Sequence, residues 1–155
     1  MNALICATDI GPLVIAENGR AITQIFLPGE AVPTGYKYKD TGLLKEAALQ
    51  LQAYFSGTLK TFSVAIDPQG TRFMQQVWAS LQQIPYGETR SYRDIAVSIG
   101  NPRACRAVGQ ANNRNPIPIL IPCHRVIGAN GQLVGYGGGI HMKKYLLDLE
   151  KEIIC

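Results

Sequence analysis

The chain has 155 residues, of which 46% are hydrophobic and 17% are charged, and its formal net charge is +4 at pH 7. This composition is typical of a globular protein with one domain or two small lobes, and it excludes an intrinsically disordered chain. No apolar run approaches the roughly 20 residues that span a bilayer, and the N-terminus has neither the basic region nor the long apolar region of a signal peptide.

The first third of the chain predicts mainly strands. Residues 3–28 contain runs rich in strand-forming residues, and the dipeptide Asn18-Gly19 is typical of a hairpin turn between two strands. Residues 62–67 predict one more short strand, whereas residues 28–40 have the composition of a surface loop.

One helix lies between these strands in the sequence. Asp40 or Thr41 can cap its first turn, and Gly57 is expected to end it. Between them, apolar residues recur at intervals of three and four, which is the period of a helix with one buried face. These elements predict a small antiparallel sheet packed with one helix.

The pattern then changes to short helices. Ser91 and Asp94 have the spacing of a capping box at the start of one helix, and Gly100 is expected to end it. Asn101 and Pro102 favour the cap and the first position of the next helix. Two short helices joined by a tight turn have the outline of a helix-turn-helix.

The second of these helices lies in an arginine-rich part of the sequence. From Arg90 to Arg125 there are six arginines, no lysine and one acid, Asp94. Arginine binds phosphate with two parallel hydrogen bonds and stacks on planar groups, so this segment is a candidate nucleic-acid surface. A solvated basic face is the alternative.

Two stripes of side chains run along this second helix. The polar stripe consists of Arg103, Arg106 and Gln110, and the small stripe consists of Ala104, Ala107, Val108 and Ala111. Small residues let a helix approach either a nucleic acid or the protein's own core closely. The pattern alone leaves both uses open.

The C-terminal part predicts a hairpin and a last helix. The hairpin turns at Asn130-Gly131, and three glycines, residues 137–139, follow beside Tyr136. The expected buried face of the last helix consists of Met142, Tyr145, Leu146, Leu149 and Ile153. Glu150 falls at the polar edge of that face. Together these patterns predict two domains, an α/β lobe of residues 1–66 and a mainly helical domain of residues 67–155.

A proline-rich apolar segment, residues 115–122, leads directly to Cys123. Proline fixes φ and removes a backbone donor, so this segment is expected to be a rigid, buried, extended passage rather than a helix or a central strand. The four cysteines of the chain are Cys6, Cys105, Cys123 and Cys155. Their wide spacing favours free thiols in a reducing cytoplasm over a disulfide framework.

The adjacent residues Cys123 and His124 allow three interpretations. A metal site is disfavoured because the cysteines and histidines lack the spacing of metal ligands. A hydrolase would need a histidine across from the thiol. Neighbours on an extended chain point to opposite sides, so His124 could reach Cys123 only through a bend or an intervening water. His141 could supply the base instead. In the third interpretation a thiolate attacks a carbon carried on a nucleic acid, and its proton passes through a water to His124, with Glu150 as the carboxylate behind that histidine.

Three segments resemble the O6-alkylguanine-DNA alkyltransferases, also called methylated-DNA–protein-cysteine methyltransferases. They are IPYGETRSYRDIA, RAVGQANNRNPIPILIPCHRVIG, and YGGG followed by YLLDLE, and they lie in the family's order within residues 70–152. The resemblance implies a ribonuclease-H-like first lobe and a winged helix-turn-helix-like second domain. It also implies a single-turnover DNA-repair enzyme that flips the damaged base and moves an alkyl group irreversibly from O6-alkylguanine to Cys123, with O4-alkylthymine as an open second substrate.

The resemblance assigns catalytic roles to five residues. Cys123 would accept the alkyl group, and a water, His124 and Glu150 would activate it. Asn115 would brace the turn that holds the cysteine. Tyr92 would donate its hydroxyl to the guanine and stabilise the charge that develops as the base leaves.

Further residues would contact the DNA and the damaged base. Arg106 would fill the gap in the base stack after the nucleotide flips out. The other expected DNA-binding residues are Arg103, Ala104, Ala107, Gln110, Arg114 and Arg125. The expected walls of the guanine pocket are Pro118, Val126, Tyr136, Gly137 and Gly138.

The implied partner is double-stranded DNA that carries O6-alkylguanine. The resemblance implies a cytoplasmic, nucleoid-associated monomer. It implies no cofactor, no association with a membrane and no obligate protein partner. We expect no structural metal, because Cys6 is the only cysteine in the first lobe and that lobe has no histidine. A lesion-binding module with the same helix-turn-helix and no chemistry is the alternative from a different class.

Overall fold

A computed structural model of the chain describes residues 1–133, 136 and 139–154, without the side chains of residues 152–154. The chain divides into two compact units, Met1–Gln69 and Gly70–Cys155. The domain boundary predicted after residue 66 lies slightly before this division. Backbone hydrogen bonds tie the chain to the first sheet through Asp67, whose N–H donates to the carbonyl of Ile22 at 2.8 Å. No described helix is both long enough and apolar enough to span a membrane.

The first unit contains a four-stranded sheet. Its strands are β1 (Asn2–Thr8), β2 (Gly11–Glu17), β3 (Ile22–Phe26) and β4 (Lys37–Tyr38), in the spatial order β3-β2-β1-β4. The first three are antiparallel neighbours, but β4 is parallel to β1, so the sheet is mixed rather than antiparallel. The two-residue β4 lies within residues 28–40, where the sequence predicts only a loop. The strand expected at residues 62–67 is reduced to one bridge between Ile22 and Ile66.

One helix, α1 (Gly42–Phe55), packs on this sheet. Thr41 caps it through its side chain, and Gly57 follows it with φ +84°, a conformation that glycine adopts at little cost. The buried carboxylate of Glu17 accepts hydrogen bonds from the Thr41 hydroxyl and from the N–H of Gly19, each at 3.0 Å. The hairpin turn and the helix cap are therefore held by the same side chain.

The second unit is mainly helical. Its helices are α2 (Arg72–Leu81), α3 (Tyr92–Ser98), α4 (Cys105–Asn113) and α5 (Ile140–Ile154), with a one-turn 3₁₀ helix at Cys123–Arg125. Two short strands, β5 (Arg90–Ser91) and β6 (Val126–Ile127), pair in parallel. The fully buried Trp78 links α2 to α4, because its indole N–H donates to the carbonyl of Ala111 at 2.9 Å.

The predicted start and end of α3 are both confirmed. Ser91 and Asp94 form a reciprocal capping box at its first turn. Gly100 ends the helix with φ +78°. These signals are local in the sequence, which is why they can be recognised without the tertiary structure.

The predicted start of α4 at Pro102 is wrong. The N–H of Ala104 donates to the carbonyl of Asn101 at 3.0 Å, so Pro102 occupies a β-turn and the helix begins at Cys105. Proline suits the second position of such a turn as well as the first position of a helix. Arg103 and Ala104 therefore precede the helix.

The predicted hairpin after Val126 is described only through its turn and up to Leu133, and the rest of its second strand lies outside the described residues. Gly131 has φ +83°, and its N–H donates to the carbonyl of Gly128 at 2.9 Å, so the predicted turn is present. Up to Leu133, however, the described residues contain no strand that pairs with β6, which instead pairs with β5.

The buried face of α5 differs from the predicted one. Lys143 and Glu150 are 0% and 1% exposed, together with buried Leu146 and Leu147, whereas Tyr145 is 39% exposed. The helix is thus rotated so that two ionisable side chains face inward, where polar groups from other elements bind them. A pattern of apolar residues alone cannot reveal such partners.

Candidate active site and nucleic-acid interface

The approach to Cys123 is a tight buried turn, not the extended passage that its prolines predict. Ile119 has φ +76°, a left-handed conformation that is strained for a β-branched residue and costs roughly 1–3 kcal/mol. Asn115 braces this turn on both sides. Its amide nitrogen donates to the carbonyl of Ile121 at 2.8 Å, and its oxygen accepts from the N–H of Ile117 at 2.9 Å.

Cys123 itself is held through both of its backbone polar groups. Its N–H donates to the carbonyl of Ile121 at 2.8 Å, and its carbonyl accepts from the side-chain amide of Asn112 at 3.3 Å. The thiol is free and the residue is only 4% exposed. Asn112, buried at the end of α4, is absent from the sequence-based site, because no local pattern marks an asparagine that bonds a backbone eleven residues away.

His124 and Glu150 form the predicted contact. Nε2 of His124 lies 2.6 Å from Oε2 of Glu150, and both side chains are buried. An ionised carboxylate only accepts hydrogen bonds, so Nε2 carries the proton and Nδ1 keeps a lone pair. This Nδ1 is buried and has no hydrogen-bond partner among the described residues, which leaves it available as a base. His141, the alternative base, lies exposed at the start of α5.

The structure overturns the placement of Arg125 among the DNA-binding residues. The residue is only 7% exposed, and its guanidinium binds both carboxylate oxygens of Glu150, with Nε–Oε1 at 2.8 Å and Nη2–Oε2 at 3.1 Å. A side chain committed to a buried ion pair is not available to a DNA backbone. The 3₁₀ turn directs Arg125 inward, whereas an extended chain would have left its direction open.

Lys143 is a second ionisable group that the sequence does not reveal. It is fully buried on α5, and its ammonium contacts the carbonyl of Val126, just after the turn that holds Cys123. Burial lowers the pKa of Lys143 to about 8, while the charge of the Cys123 thiolate acts to raise it. A cation in this position favours a negative sulfur.

The buried groups perturb one another strongly. Burial raises the pKa of the Cys123 thiol to about 11, against the opposing effects of the Asn115 hydrogen bond and the charge of Lys143. Burial alone would also raise the pKa of Glu150, but hydrogen bonds and charge from His124 and then from Arg125 outweigh it and hold that pKa at about 2. Because burial opposes the thiolate, the thiolate depends on a nearby base and a nearby cation.

Tyr92 lies at the first position of α3, close to the cysteine. Burial raises the pKa of the Tyr92 hydroxyl, and the charge of Cys123 raises it further. On its other side the ring approaches α4 at Gly109, where an added Cβ would lie 3.8 Å from two ring carbons. Gly109 of α4 therefore lies close beside the tyrosine ring, with room for an ordinary Cβ contact.

The expected pocket walls are only partly described. Pro118, Val126 and Tyr136 are buried in the second unit. Gly137 and Gly138 lie outside the described residues. The carbonyl of Val126 accepts a hydrogen bond from Lys143.

Most of the predicted DNA-binding residues lie on α4 or directly beside its two ends. The exposed residues of that set are Arg103, Arg106, Ala107, Gln110 and Arg114, and Ala104 is half-buried. Val108 and Ala111 are buried instead, so this part of the small stripe packs against the protein's own core, whereas Ala107 stays exposed. From residue 95 to residue 125 the chain contains no acid, so the exposed face is basic.

Comparison with known proteins agrees with this arrangement. The family model for the DNA-binding domain of 6-O-methylguanine DNA methyltransferase matches residues 72–152, and that for its ribonuclease-like domain matches residues 4–68. The chain belongs to this family. The predicted family and the predicted fold class are thereby confirmed, with a mixed sheet in the ribonuclease-like lobe.

Individual relatives match nearly the whole chain. The methylated-DNA–protein-cysteine methyltransferase of Methanosarcina barkeri is 50% identical over 151 residues, which cover 95% of each chain. The constitutive methylated-DNA–protein-cysteine methyltransferase of Bacillus subtilis is 49% identical and covers 93% of this chain and 92% of that protein. The crystal structure of Mycobacterium tuberculosis OGT in complex with DNA superposes with a TM-score of 0.93 at 49% identity, over 99% of this chain and 94% of that one.

The sequence predicts no structural metal in this chain. Among the described residues, no group of three or more histidine, cysteine or acidic side chains is placed to hold a metal ion. The described cysteines, Cys6, Cys105 and Cys123, are free thiols.

Proposed function

We propose that this methyltransferase-family protein repairs DNA by moving an alkyl group from O6 of guanine to Sγ of Cys123. The observation that carries the proposal is the buried Cys123–His124 turn, in which Glu150 fixes the proton on Nε2 of His124 and leaves Nδ1 as a base. The names of the relatives, which are methylated-DNA–protein-cysteine methyltransferases, support the same reaction class.

The transfer begins with the thiol proton. A water between Cys123 and His124 passes this proton to Nδ1, and the charge of Lys143 favours the resulting thiolate. Sγ then attacks the alkyl carbon, so that an S–C bond forms while the C–O6 bond breaks. The electron pair of the broken bond goes to the guanine oxygen, and the Tyr92 hydroxyl stabilises that charge by a hydrogen bond.

The product explains why one molecule repairs one lesion. The alkyl group ends in a thioether, which has no easy hydrolysis route, unlike a thioester. Cys123 lies in a turn braced by Asn115 and Asn112, so little reorganisation is needed to place the sulfur for attack. The protein is therefore consumed stoichiometrically.

The damaged base must leave the duplex before the sulfur can reach it. Extrusion costs a few kcal/mol, and the exposed Arg106 on α4 would offset part of this by filling the gap in the base stack. Arg103 and Arg114 are exposed just before and just after α4 and would bind the phosphates. A duplex carrying O6-alkylguanine is thus the proposed partner, with the protein acting on DNA in the cytoplasm.

The test is a mass measurement after incubation with a duplex that contains O6-methylguanine. The intact protein should gain one methyl group, and peptide mapping should place it on Cys123. Cys123→Ala should bind the duplex and gain no mass. A methyl group on Cys6, Cys105 or Cys155 would show that the wrong nucleophile is assigned, and binding by the parent without any mass gain would favour a lesion-binding module.

A further inference from the structure

Arg125 directly follows Cys123 and His124 in the chain and lies in the same 3₁₀ turn. Its two hydrogen bonds to Glu150 occupy both oxygens of the carboxylate whose Oε2 also contacts His124. We propose that Arg125 is a positioning residue for the proton relay from Cys123 through a water to His124. Its guanidinium holds Glu150 ionised in one orientation and thereby keeps the lone pair of His124 on Nδ1. This inference rests on the proposed function, because it concerns the same site.

The guanidinium is itself fixed by the loop between α2 and β5. Its Nη1 donates to the carbonyl of Ile84 at 2.8 Å, and its Cζ lies 5.6 Å from the ring centroid of Tyr86. The N–H of Gly87 in the same loop donates to Oε1 of Glu150 at 3.1 Å. One loop therefore holds both the arginine and the carboxylate, so their relative orientation does not depend on the histidine.

Charge explains why an arginine is needed here. Glu150 is almost completely buried, and a buried carboxylate stays ionised only beside a cation. If His124 supplied that charge, both of its nitrogens would carry protons and neither could accept one from the thiol. Arginine does not lose its proton in proteins, so Arg125 keeps a positive charge beside Glu150 even while His124 is neutral.

The groups that face His124 shift its pKa in opposite directions. Burial lowers the pKa of His124, Glu150 on α5 raises it, and Arg125 and Lys143 lower it further. Cys123 adjoins His124 in the same turn. Without the charge of Arg125, the pKa-raising effect of Glu150 is less opposed. His124 should then bind a second proton at higher pH.

The first experiment compares the parent, Arg125→Gln and Arg125→Lys. Ring NMR signals of His124 are followed against pH without substrate, and single-turnover transfer from O6-benzylguanine is timed. The chain has two histidines, so a His141→Gln background assigns the signals. Arg125→Gln should titrate at higher pH than the parent and transfer at least roughly tenfold more slowly, which is part of what general-base catalysis supplies.

Arg125→Lys separates charge from geometry. This variant keeps a cation, so His124 should titrate near the parent's pH. An ammonium cannot bind both oxygens of Glu150 as the planar guanidinium does, so transfer should remain slower than in the parent. A folded Arg125→Gln protein with the parent's titration and the parent's rate would overturn the proposal. Failure of the parent to alkylate Cys123 would instead reject the proposed function, and the titration would still decide the role of Arg125.

A second comparison covers the case in which Arg125→Gln does not fold. Glu150→Gln removes the carboxylate and keeps the arginine, and the double variant Arg125→Met/Glu150→Gln replaces the whole buried ion pair with neutral side chains, a change that is often tolerated. If Arg125 acts through Glu150, the two variants should transfer at the same rate. A further tenfold loss in the double variant would show that Arg125 acts by another route.

Discussion

Lys143 and Glu150 lie two helical turns apart on α5, and both side chains are buried against the turn that holds Cys123. Lys143 contacts the carbonyl of Val126, and Glu150 binds His124. The helix thus presents a cation and an anion to the same turn. It acts as part of the active site although its sequence has the appearance of an ordinary amphipathic helix.

The first prediction concerns Lys143→Met. Loss of the cation should raise the pKa of the Cys123 thiol, because the charge of Lys143 lowers that pKa in the parent. Each unit of pKa corresponds to a factor of about ten in thiolate population, so transfer from O6-benzylguanine at neutral pH should slow by roughly tenfold. The matched control is Lys144→Met, since Lys144 is exposed and pairs with Asp148. Equal rates in the two variants would remove Lys143 from the mechanism.

The second prediction is an acid dependence of stability that belongs to Glu150. Its pKa falls from 4.5 to about 2 in the folded protein. The depressed pKa contributes stability above pH 4.5 that is lost as the pH falls toward 2, about 3 kcal/mol for this shift. Unfolding free energies measured across that window should fall less steeply in Glu150→Gln than in the parent. Glu88→Gln, at an exposed ion pair, should keep the parent's slope.

The third prediction separates base flipping from chemistry. Arg106→Ala should slow transfer from duplex DNA far more than transfer from free O6-benzylguanine, because only the duplex substrate requires extrusion of a base. Single-turnover rates on both substrates provide the measurement. Arg20→Ala, an exposed arginine of the first unit, serves as the charge-matched control. Equal losses on both substrates would argue against a stacking arginine.

The fourth prediction tests the packing that supports α4. A Cβ at Gly70 would lie 2.5 Å from Cη2 of Trp78, whose buried indole binds Ala111 on α4. Gly70→Ala should therefore destabilise the protein by about 1–3 kcal/mol in denaturant unfolding. Gly42→Ala is the matched control, because nothing lies within 4 Å of a Cβ at Gly42. Unfolding of both variants at the same denaturant concentration would contradict close packing of Trp78 against Gly70.

The fifth prediction concerns the reacted protein. An alkyl group on the buried Cys123 adds volume within a turn that Asn112 and Asn115 hold, and such overpacking costs about 1–3 kcal/mol. The alkylated protein should melt at a lower temperature than the free protein, and benzyl should lower it more than methyl. Cys123→Ala exposed to the same reagents controls for other effects. Matched melting curves of free and alkylated protein would contradict this expectation.

Local signals in the sequence determined a large part of this molecule. The capping box of Ser91 and Asp94, the hairpin at Asn18-Gly19 and the cap at Thr41 each depend on residues within one turn of chain, and all three form as predicted. Three segments within residues 70–152 together predicted the family. These features act over a few residues, so the chain specifies them wherever it lies in space.

The tertiary structure alone decided where the charged side chains of the site point. Arg125 turns inward because Glu150, twenty-five residues later, and the carbonyl of Ile84, forty-one residues earlier, both meet it. Lys143 is buried because the carbonyl of Val126 lies beside α5. A buried ion is stable only when its partners surround it, and distant segments supply those partners. Composition, periodicity and the motif that carries the family resemblance each describe one segment at a time, so none of them predicts the cations that surround Cys123 and His124.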